Sequence, residues 1–326
     1  MKTTKIILLA MLISLGLNTM AQVAINNDGS APDESAILDL KSNNGGLLLP
    51  RMNTIQISGI TNAAAGLIVF NTDSSDFYGF NGSKWLSIWN TGDTLADWYC
   101  GNQFTDSRDN KNYTTVQIGN QCWMAENLAY LPSVSPPHLG SETSPYYYVY
   151  DYYGTDVNTA KDSNNYHIYG VLYNWPAAMN GQASSNSVPS GVQGICPSGW
   201  HLPSDEEWKI LEGEVDSIYG YPDPIWDNPV WRGTDVGGNL KETDTTHWSS
   251  PNTGATNSSG FTALPAGYRY HNQGEFRGLG LGAHFITSAE NGINTEWLRH
   301  LNYGRVMARR YNDYKSTGYS VRCLMD

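Results

Sequence analysis

The stretch that most constrains this chain is Gly194 to Trp208, GICPSGWHLPSDEEW. Cys196-Pro197-Ser198-Gly199 is turn chemistry, because proline fixes φ and glycine permits φ > 0. Trp200 and Leu202 flank His201, so in an extended segment both point to one side, into a core. His201 then faces solvent or fills a core gap. Ser204 suits a helix N-cap, and Glu207 three residues on completes a capping box. Asp205, Glu206 and Glu207 fall in the first turn, where the helix dipole favours negative charge. Trp208, Leu211 and Val215 recur at i, i+3 and i+7 on one apolar face. The spacing predicts an amphipathic helix from about Asp205 to Ile218, docked by its tryptophan and stapled through Cys196.

Residues 1–21 read as an export signal. Lys2 and Lys5 form a charged start, Ile6 to Leu17 an apolar run too short to span a bilayer, and Thr19-Met20-Ala21 a small-x-small cleavage site. No cysteine follows the cut, so no lipoprotein anchor is expected. No later stretch is long and apolar enough to be a transmembrane segment. The expected location is the cell exterior or outer surface, with the periplasm open. In an exported chain, Cys100, Cys122, Cys196 and Cys323 read as two disulfides. Three connectivities are possible. Cys100–Cys122, closing a local hairpin, with Cys196–Cys323, tying the helix region to the last strand, is the favoured one. The longer loop would contribute about 4–5 kcal/mol. There is no CxxC, which leaves redox or zinc chemistry little support.

Charged residues are only 15% of the chain and the net charge is −12. That acidity argues against nucleic acid or anionic membrane, which call for a basic face. The 33 glycines and 21 tyrosines suit many short strands and turns. Residues 22–92 lack cysteine and form a β-rich segment with few apolar residues for a core of its own. Ser35–Leu40 alternates, Leu47–Met52 is extended, Gly66–Phe70 is a short apolar strand, and a hairpin turns at Asn81-Gly82. Residues 93–97 are a polar linker. The order SAILDL, GLLLPRM, GLIVFNTD, YGFNGSKW resembles the N-terminal segments of many secreted Bacteroidetes proteins and the shafts of trimeric phage-fibre proteins. The resemblance implies a stalk or attachment module and a homotrimer through residues 22–92; the plain alternative is a small monomeric β appendage.

From residue 98 to 326 five motifs occur in order: IGNQCWMAENL, YNWPAA (Tyr173–Ala178), GICPSGWHLPSDEEW, GFTALPAGYR (Gly260–Arg269) and SVRC (Ser320–Cys323). This region resembles the Fibrobacter succinogenes major paralogous domain. The helix start GWHLPSDEEW, the GYR strand and the terminal RC strand are also similar to the C-type-lectin-like fold that formylglycine-generating enzymes share. That similarity implies an α+β fold: small antiparallel sheets with two helices and long loops. Trp123, Trp175, Trp200 and Trp208, all within these motifs, are expected structural anchors. Strands are expected at Phe261–Leu264, Gly267–Tyr270, His284–Thr287, Trp297–Tyr303, Arg305–Tyr311 and Gly318–Leu324.

Tyrosine offers a flat apolar face with a polar tip, useful against sugar rings and proteins alike. The run Tyr146, Tyr147, Tyr148, Tyr150, with Trp226, Trp231 and Tyr270, is therefore the candidate ligand surface; a loop packed on the sheet is the plain alternative. Asp106 and Asp109, with nearby asparagines, could offer oxygens to calcium but lack EF-hand spacing, and Asx-turns explain them as well. Trp226-Asp227-Asn228 has the wrong order and position for a lectin calcium motif. Asp205, Glu206 and Glu207 are adjacent on a helix start and cannot flank one glycosidic bond. There is no HExxH, GxSxG or P-loop, and with four bridged cysteines no thiol nucleophile. The expected function is an exported, non-catalytic surface binding or adhesion module for glycan or protein, without a cofactor. A fibre or pilus-like subunit is the first alternative, and an enzyme on a formylglycine-generating-enzyme-like fold the second.

Overall fold

The computed structural model describes residues 22–88 and 100–326. The expected export signal, 1–21, and the expected linker, 93–97, lie outside the described residues. The chain divides into two compact units, residues 1–96 and 97–326.

In the first unit, Val23–Asn26 (β1) pairs in parallel with Leu38–Lys41 (β2) as an isolated two-stranded sheet. A four-stranded sheet follows, ordered Arg51–Met52 (β3), Ile68–Asn71 (β4), Asp76–Phe80 (β5), Trp85–Ser87 (β6). The β5–β6 hairpin turns at Asn81-Gly82, where Asn81 Oδ1 accepts the N–H groups of Ser83 and Lys84 and Gly82 sits at φ +98°. Thr54–Ser58 (α1) is too short to show periodicity, yet Asn53 and Gln56 cap it reciprocally. It drops Ile57 against Val69, Tyr78 and Trp85. The expected shortage of core is therefore met only before residue 51. There Ile37 is 81% and Leu48 74% exposed, with Val23, Ile25, Leu38, Leu40 and Leu47 also on the surface.

The second unit is built on two antiparallel sheets. One is five-stranded, ordered Trp200–His201 (β12), Leu324–Met325 (β19), Gln121–Met124 (β9), Lys111–Ile118 (β8), Gln103–Asp106 (β7). The other is four-stranded, ordered Trp231–Arg232 (β13), Ala308–Tyr314 (β18), Thr295–Asn302 (β17), Gly282–Gly292 (β16). Short pairs Tyr147–Tyr148 (β10) with Leu172–Tyr173 (β11) and Ala266–Arg269 (β14) with Phe276–Leu279 (β15) complete the β structure. The chain is thus β-rich and α+β. Among the described residues one helix is long, Asp205–Val215 (α5). The others, Val157–Lys161 (α2), Asn164–Tyr169 (α3), Trp175–Met179 (α4) and Val236–Leu240 (α6), have five or six residues. The first three of these open on the side-chain caps Asp156, Ser163 and Asn174.

Helix α5 forms as its capping box dictates, with Ser204 and Glu207 bonded reciprocally. It stops at Val215, not Ile218. Asp216 leaves the helical region (ψ 137°) and its Oδ1 accepts the N–H groups of Ile218 and Tyr219, an Asx-type turn that competes with another helical turn. Trp208 lies between the sheets, with ring centroids 4.9 Å from Trp123, 5.3 Å from Phe285 and 5.8 Å from Phe261. Trp123, Trp200 and Trp208 are buried to 2% exposure or less. Trp175 is buried as well and donates its indole N–H to the Thr287 carbonyl. Disulfides join Cys100 to Cys122 and Cys196 to Cys323.

Two expected strands are absent as ladders. Phe261–Leu264 carries a single bridge at Ala263, and Gly318–Leu324 only bridges until β19. The reason is Arg322, which is fully buried. Its guanidinium donates to the carbonyls of Met124, Phe261 and Thr262 and to Asn127 Oδ1. Backbone acceptors that a ladder would use are taken by an arginine, and Thr262 turns away at φ 53°.

His201 fills a core gap as an ion. Its Nε2 lies 2.9 Å from Glu207 Oε1 and its Nδ1 2.8 Å from Asp326 Oδ1. Burial opposes the charge, but the two carboxylates prevail and raise its pKa to about 9. With 6.5 as the unfolded value, the stabilisation is complete below pH 6.5 and is lost as pH rises through 9. Urea unfolding of the wild type is expected to weaken across that window, and His201→Gln to lack that component. Equal pH slopes for the two proteins would show that His201 is not the group responsible.

Candidate functional site

The four-stranded sheet has two unlike faces because side chains alternate along each strand. One face meets α5. Arg299 and Arg310 both ion-pair with Asp205, at 2.7 and 2.8 Å, and Arg299 and Arg232 both reach Glu212, at 3.1 and 2.5 Å. The neighbours of these arginines point the other way. Register places Trp231 opposite Arg309, Arg309 opposite His300, and His300 opposite His284, a row across all four strands. This row runs along a cleft of about 290 Å³ that Tyr268, Asn302, Tyr311, Asp313 and Tyr319 help to line.

The hydrogen bonds of the cleft fix its chemistry. Tyr319 Oη donates to Asp313 Oδ2 at 2.5 Å, and Tyr311 Oη donates to Tyr319 Oη at 3.4 Å. Tyr311 Oη and His284 Nδ1 share a hydrogen bond of 2.8 Å. Burial pushes both phenols well up, so both stay protonated. His284 Nε2 is the ring atom left for a ligand. Burial, then His300 and Arg309, push the His284 pKa well down, and burial with Arg309 lowers that of His300 to about 3. Both rings are neutral at physiological pH. They stack at 4.1 Å with 11° between planes. A Cβ on Gly282 would lie 2.9 Å from each Nε2, so both nitrogens face the space above that glycine.

No group of three metal-ligating side chains occurs among the described residues. Arg309 contributes the charge. Its guanidinium lies 6.0 Å from the Trp231 ring and 5.1 Å from that of Tyr311, and Arg305 lies 5.1 Å from Trp231. Glu296, opposite Asp313, does not offset it: both its carboxylate oxygens are buried without partners, and burial, then Asp313, push its carboxyl well up.

The expected ligand residues divide. Trp231 sits at the end of the row, 5.0 Å from His300, and Tyr270 lies 6.5 Å from Tyr268 on the cleft wall. Tyr148 and Trp226 are buried, at 0% and 1% exposure, and cannot meet a ligand from solvent. Trp226 packs in the main core, with its indole donating to the Gly220 carbonyl. Tyr146, Tyr147 and Tyr150 are half-buried: Tyr146 stacks on Tyr148, Tyr147 meets Tyr173 edge-on, and Tyr150 packs on Phe276. The tyrosine run is mainly a packed element beside the β14–β15 hairpin, because β10 holds it in place through β11. Asp106 is buried and paired with Arg108 at 2.6 Å, and Asp109 accepts the Lys111 N–H. An arginine already occupies the place where calcium would approach Asp106. His284, His300 and Arg309 carry no motif; the only sequence signal is a polar residue at alternate positions of three successive strands.

No helix among the described residues is long and apolar enough to cross a membrane. A comparison with curated proteins gave no match, and neither did one with solved structures. The model of a phage tail like trimerisation region matches residues 24–103. That of the Fibrobacter succinogenes major domain matches residues 116–325, well over half of the chain. On that extent of match, and on the motif-bearing unit it covers, the chain belongs to the Fibrobacter succinogenes major domain family.

Proposed function

We propose that this protein is an exported, non-catalytic surface module whose second unit binds glycan, with residues 22–92 holding three copies together. The cleft over Gly282 carries the reading. It is open to solvent, walled by tyrosines, and supplies both an imidazole nitrogen at His284 and a cationic donor at Arg309. Sugars are recognised by such pairings of aromatic walls and convergent polar groups. A C-type-lectin-like arrangement is our reading of the fold, supported by one principal helix against small antiparallel sheets and by Cys196–Cys323 near the chain end. Trimerisation is supported by the matched trimerisation region and by the exposed apolar side chains before residue 51. A lone two-stranded sheet is marginal in water, so partner copies would complete that core.

Glycan-array screening of the full chain, repeated with EDTA, is expected to give saturable binding that chelation leaves unchanged. An array with no bound glycan would sink the binding reading. Light scattering is expected to give a trimer, and Ile37→Glu with Leu48→Glu in the full chain to shift it to monomer. A trimeric protein that binds nothing would favour the alternative of a fibre subunit.

A further inference from the structure

We infer that the cleft over Gly282 selects a carboxylate-bearing sugar, a hexuronic acid unit of an acidic polysaccharide, with Arg309 receiving the carboxylate and His284 Nε2 hydrogen-bonded to a ring hydroxyl. This rests on the glycan-binding reading and narrows it to one class. The first argument is charge. The chain is acidic overall, at −12, yet Arg309 has no carboxylate within ion-pairing distance among the described residues and is held between two aromatic rings. Arg305 is exposed and lies over the same indole. The one acid lining the cleft, Asp313, accepts a hydrogen bond from Tyr319. A guanidinium recognises a carboxylate through two parallel N–H donors, which favours a planar anion over a neutral hydroxyl.

The second argument is hydrogen-bond polarity. Tyr311 takes His284 Nδ1, which leaves Nε2 as the ring's polar atom for a ligand above Gly282. A sugar hydroxyl, which both donates and accepts, suits that nitrogen, while Arg309 calls for an anion. A hexuronic acid carries both on one ring. Chloride or sulfate carries only the charge, and a neutral hexose only the hydroxyl. The third argument is size. About 290 Å³ lies at the small end of ligand cavities, suited to one sugar unit rather than a run of them. The missing Cβ at Gly282 gives the two Nε2 atoms the room they occupy beside the backbone.

The test is calorimetric titration of the full chain with trigalacturonate, with the uncharged galactose trimer, and with an acetylated Asp/Glu peptide. Trigalacturonate is expected to bind at least tenfold tighter than the neutral trimer, and to weaken with salt. Arg309→Gln is expected to lose at least tenfold for the acidic trimer alone, and Gly282→Ala to lose binding of both sugars by driving its Cβ against the two Nε2 atoms and displacing the rings. The two variants act independently, and circular dichroism identifies one that has not folded. Equal affinity for acidic and neutral trimers, or unchanged trigalacturonate binding in folded Arg309→Gln, overturns the inference while leaving glycan binding in place. Tighter binding of the acidic peptide than of either sugar overturns both.

Discussion

Asp205→Asn is expected to destabilise the second unit by about 3–5 kcal/mol, the cost of breaking a buried ion pair from one side. Asp205 is 1% exposed and is the common partner of two arginines. Its Oδ1 accepts from Arg299 Nη1 at 2.7 Å and Arg310 Nε at 2.8 Å, and its Oδ2 accepts from Arg310 Nη2 at 2.9 Å. Burial works against the carboxylate, but Arg299 and then Arg310 hold its pKa well below the usual range. The stabilisation is therefore present above the unfolded value of about 3.9 and is lost only as pH falls through the much lower folded one. Asparagine keeps the shape but removes the charge, and turns an NH₂ towards guanidinium donors. Glu212 cannot compensate, since it already serves Arg299 and Arg232. Chemical denaturation at pH 7 measures the loss, with Glu206→Gln on the more exposed side of the helix as the control, expected within about 0.5 kcal/mol of wild type. A loss under about 1 kcal/mol for Asp205→Asn would mean that the ion cluster is replaceable.

The consequence reaches the cleft. Arg299 and Arg310 are the chain neighbours of His300 and Arg309, on the opposite face of the same strands. The core-side ions thus fix the strand register that aligns the row Trp231, Arg309, His300, His284. A one-residue slip would exchange the two faces. Weakening the Asp205 cluster should therefore loosen ligand binding before it unfolds the unit.

Local signals in the sequence were sufficient wherever one element decides its own structure. The capping box at Ser204 and Glu207, the Asn81-Gly82 turn and the tryptophan of GICPSGWHLPSDEEW read directly into α5, the β5–β6 hairpin and the core contact of Trp208. Features that need several strands were not legible. The cleft depends on three pairing registers, and no spacing along the chain encodes them. The tyrosine run shows the converse. Six tyrosines in eight residues look like a binding surface in composition, but pairing of β10 with β11 buries Tyr148, and Tyr146, Tyr147 and Tyr150 pack half-buried on their neighbours. Arg322 misleads in another way: an alternating segment reads as a strand, while a buried guanidinium takes the carbonyls that a strand would use. Asp205 was legible as a first-turn acid, which is true of its position on the helix; its larger role as the counterion of two distant arginines is a tertiary fact.

Removing the Cys196–Cys323 bridge as a double alanine substitution is expected to cost about 5 kcal/mol, against about 3 kcal/mol for Cys100–Cys122, by chain entropy. The difference comes from loop length: 127 residues are closed by the first bridge and 22 by the second. Both Cys196 and Cys323 are fully buried. Around them the structure is held by short elements. β12 and β19 pair over only two residues each, and the segment before β19 has bridges in place of a ladder. Without the covalent link the terminal segment keeps backbone bonds at Gly318, Tyr319, Ser320, Val321 and Cys323, so the loss falls on the unfolded chain, where the entropic term is felt in full. The segment also carries Tyr319, the middle of the relay that fixes His284. Loss of the long bridge should then lower ligand affinity in conditions where the unit is still folded, whereas loss of the short one should not. Denaturant midpoints for the two double variants, with sugar titration on each, test both parts. An equal cost for the two bridges would reject the loop-entropy account. Unchanged affinity in a folded Cys196→Ala/Cys323→Ala protein would show that backbone pairing and the Arg322 carbonyl bonds alone keep Tyr319 in register.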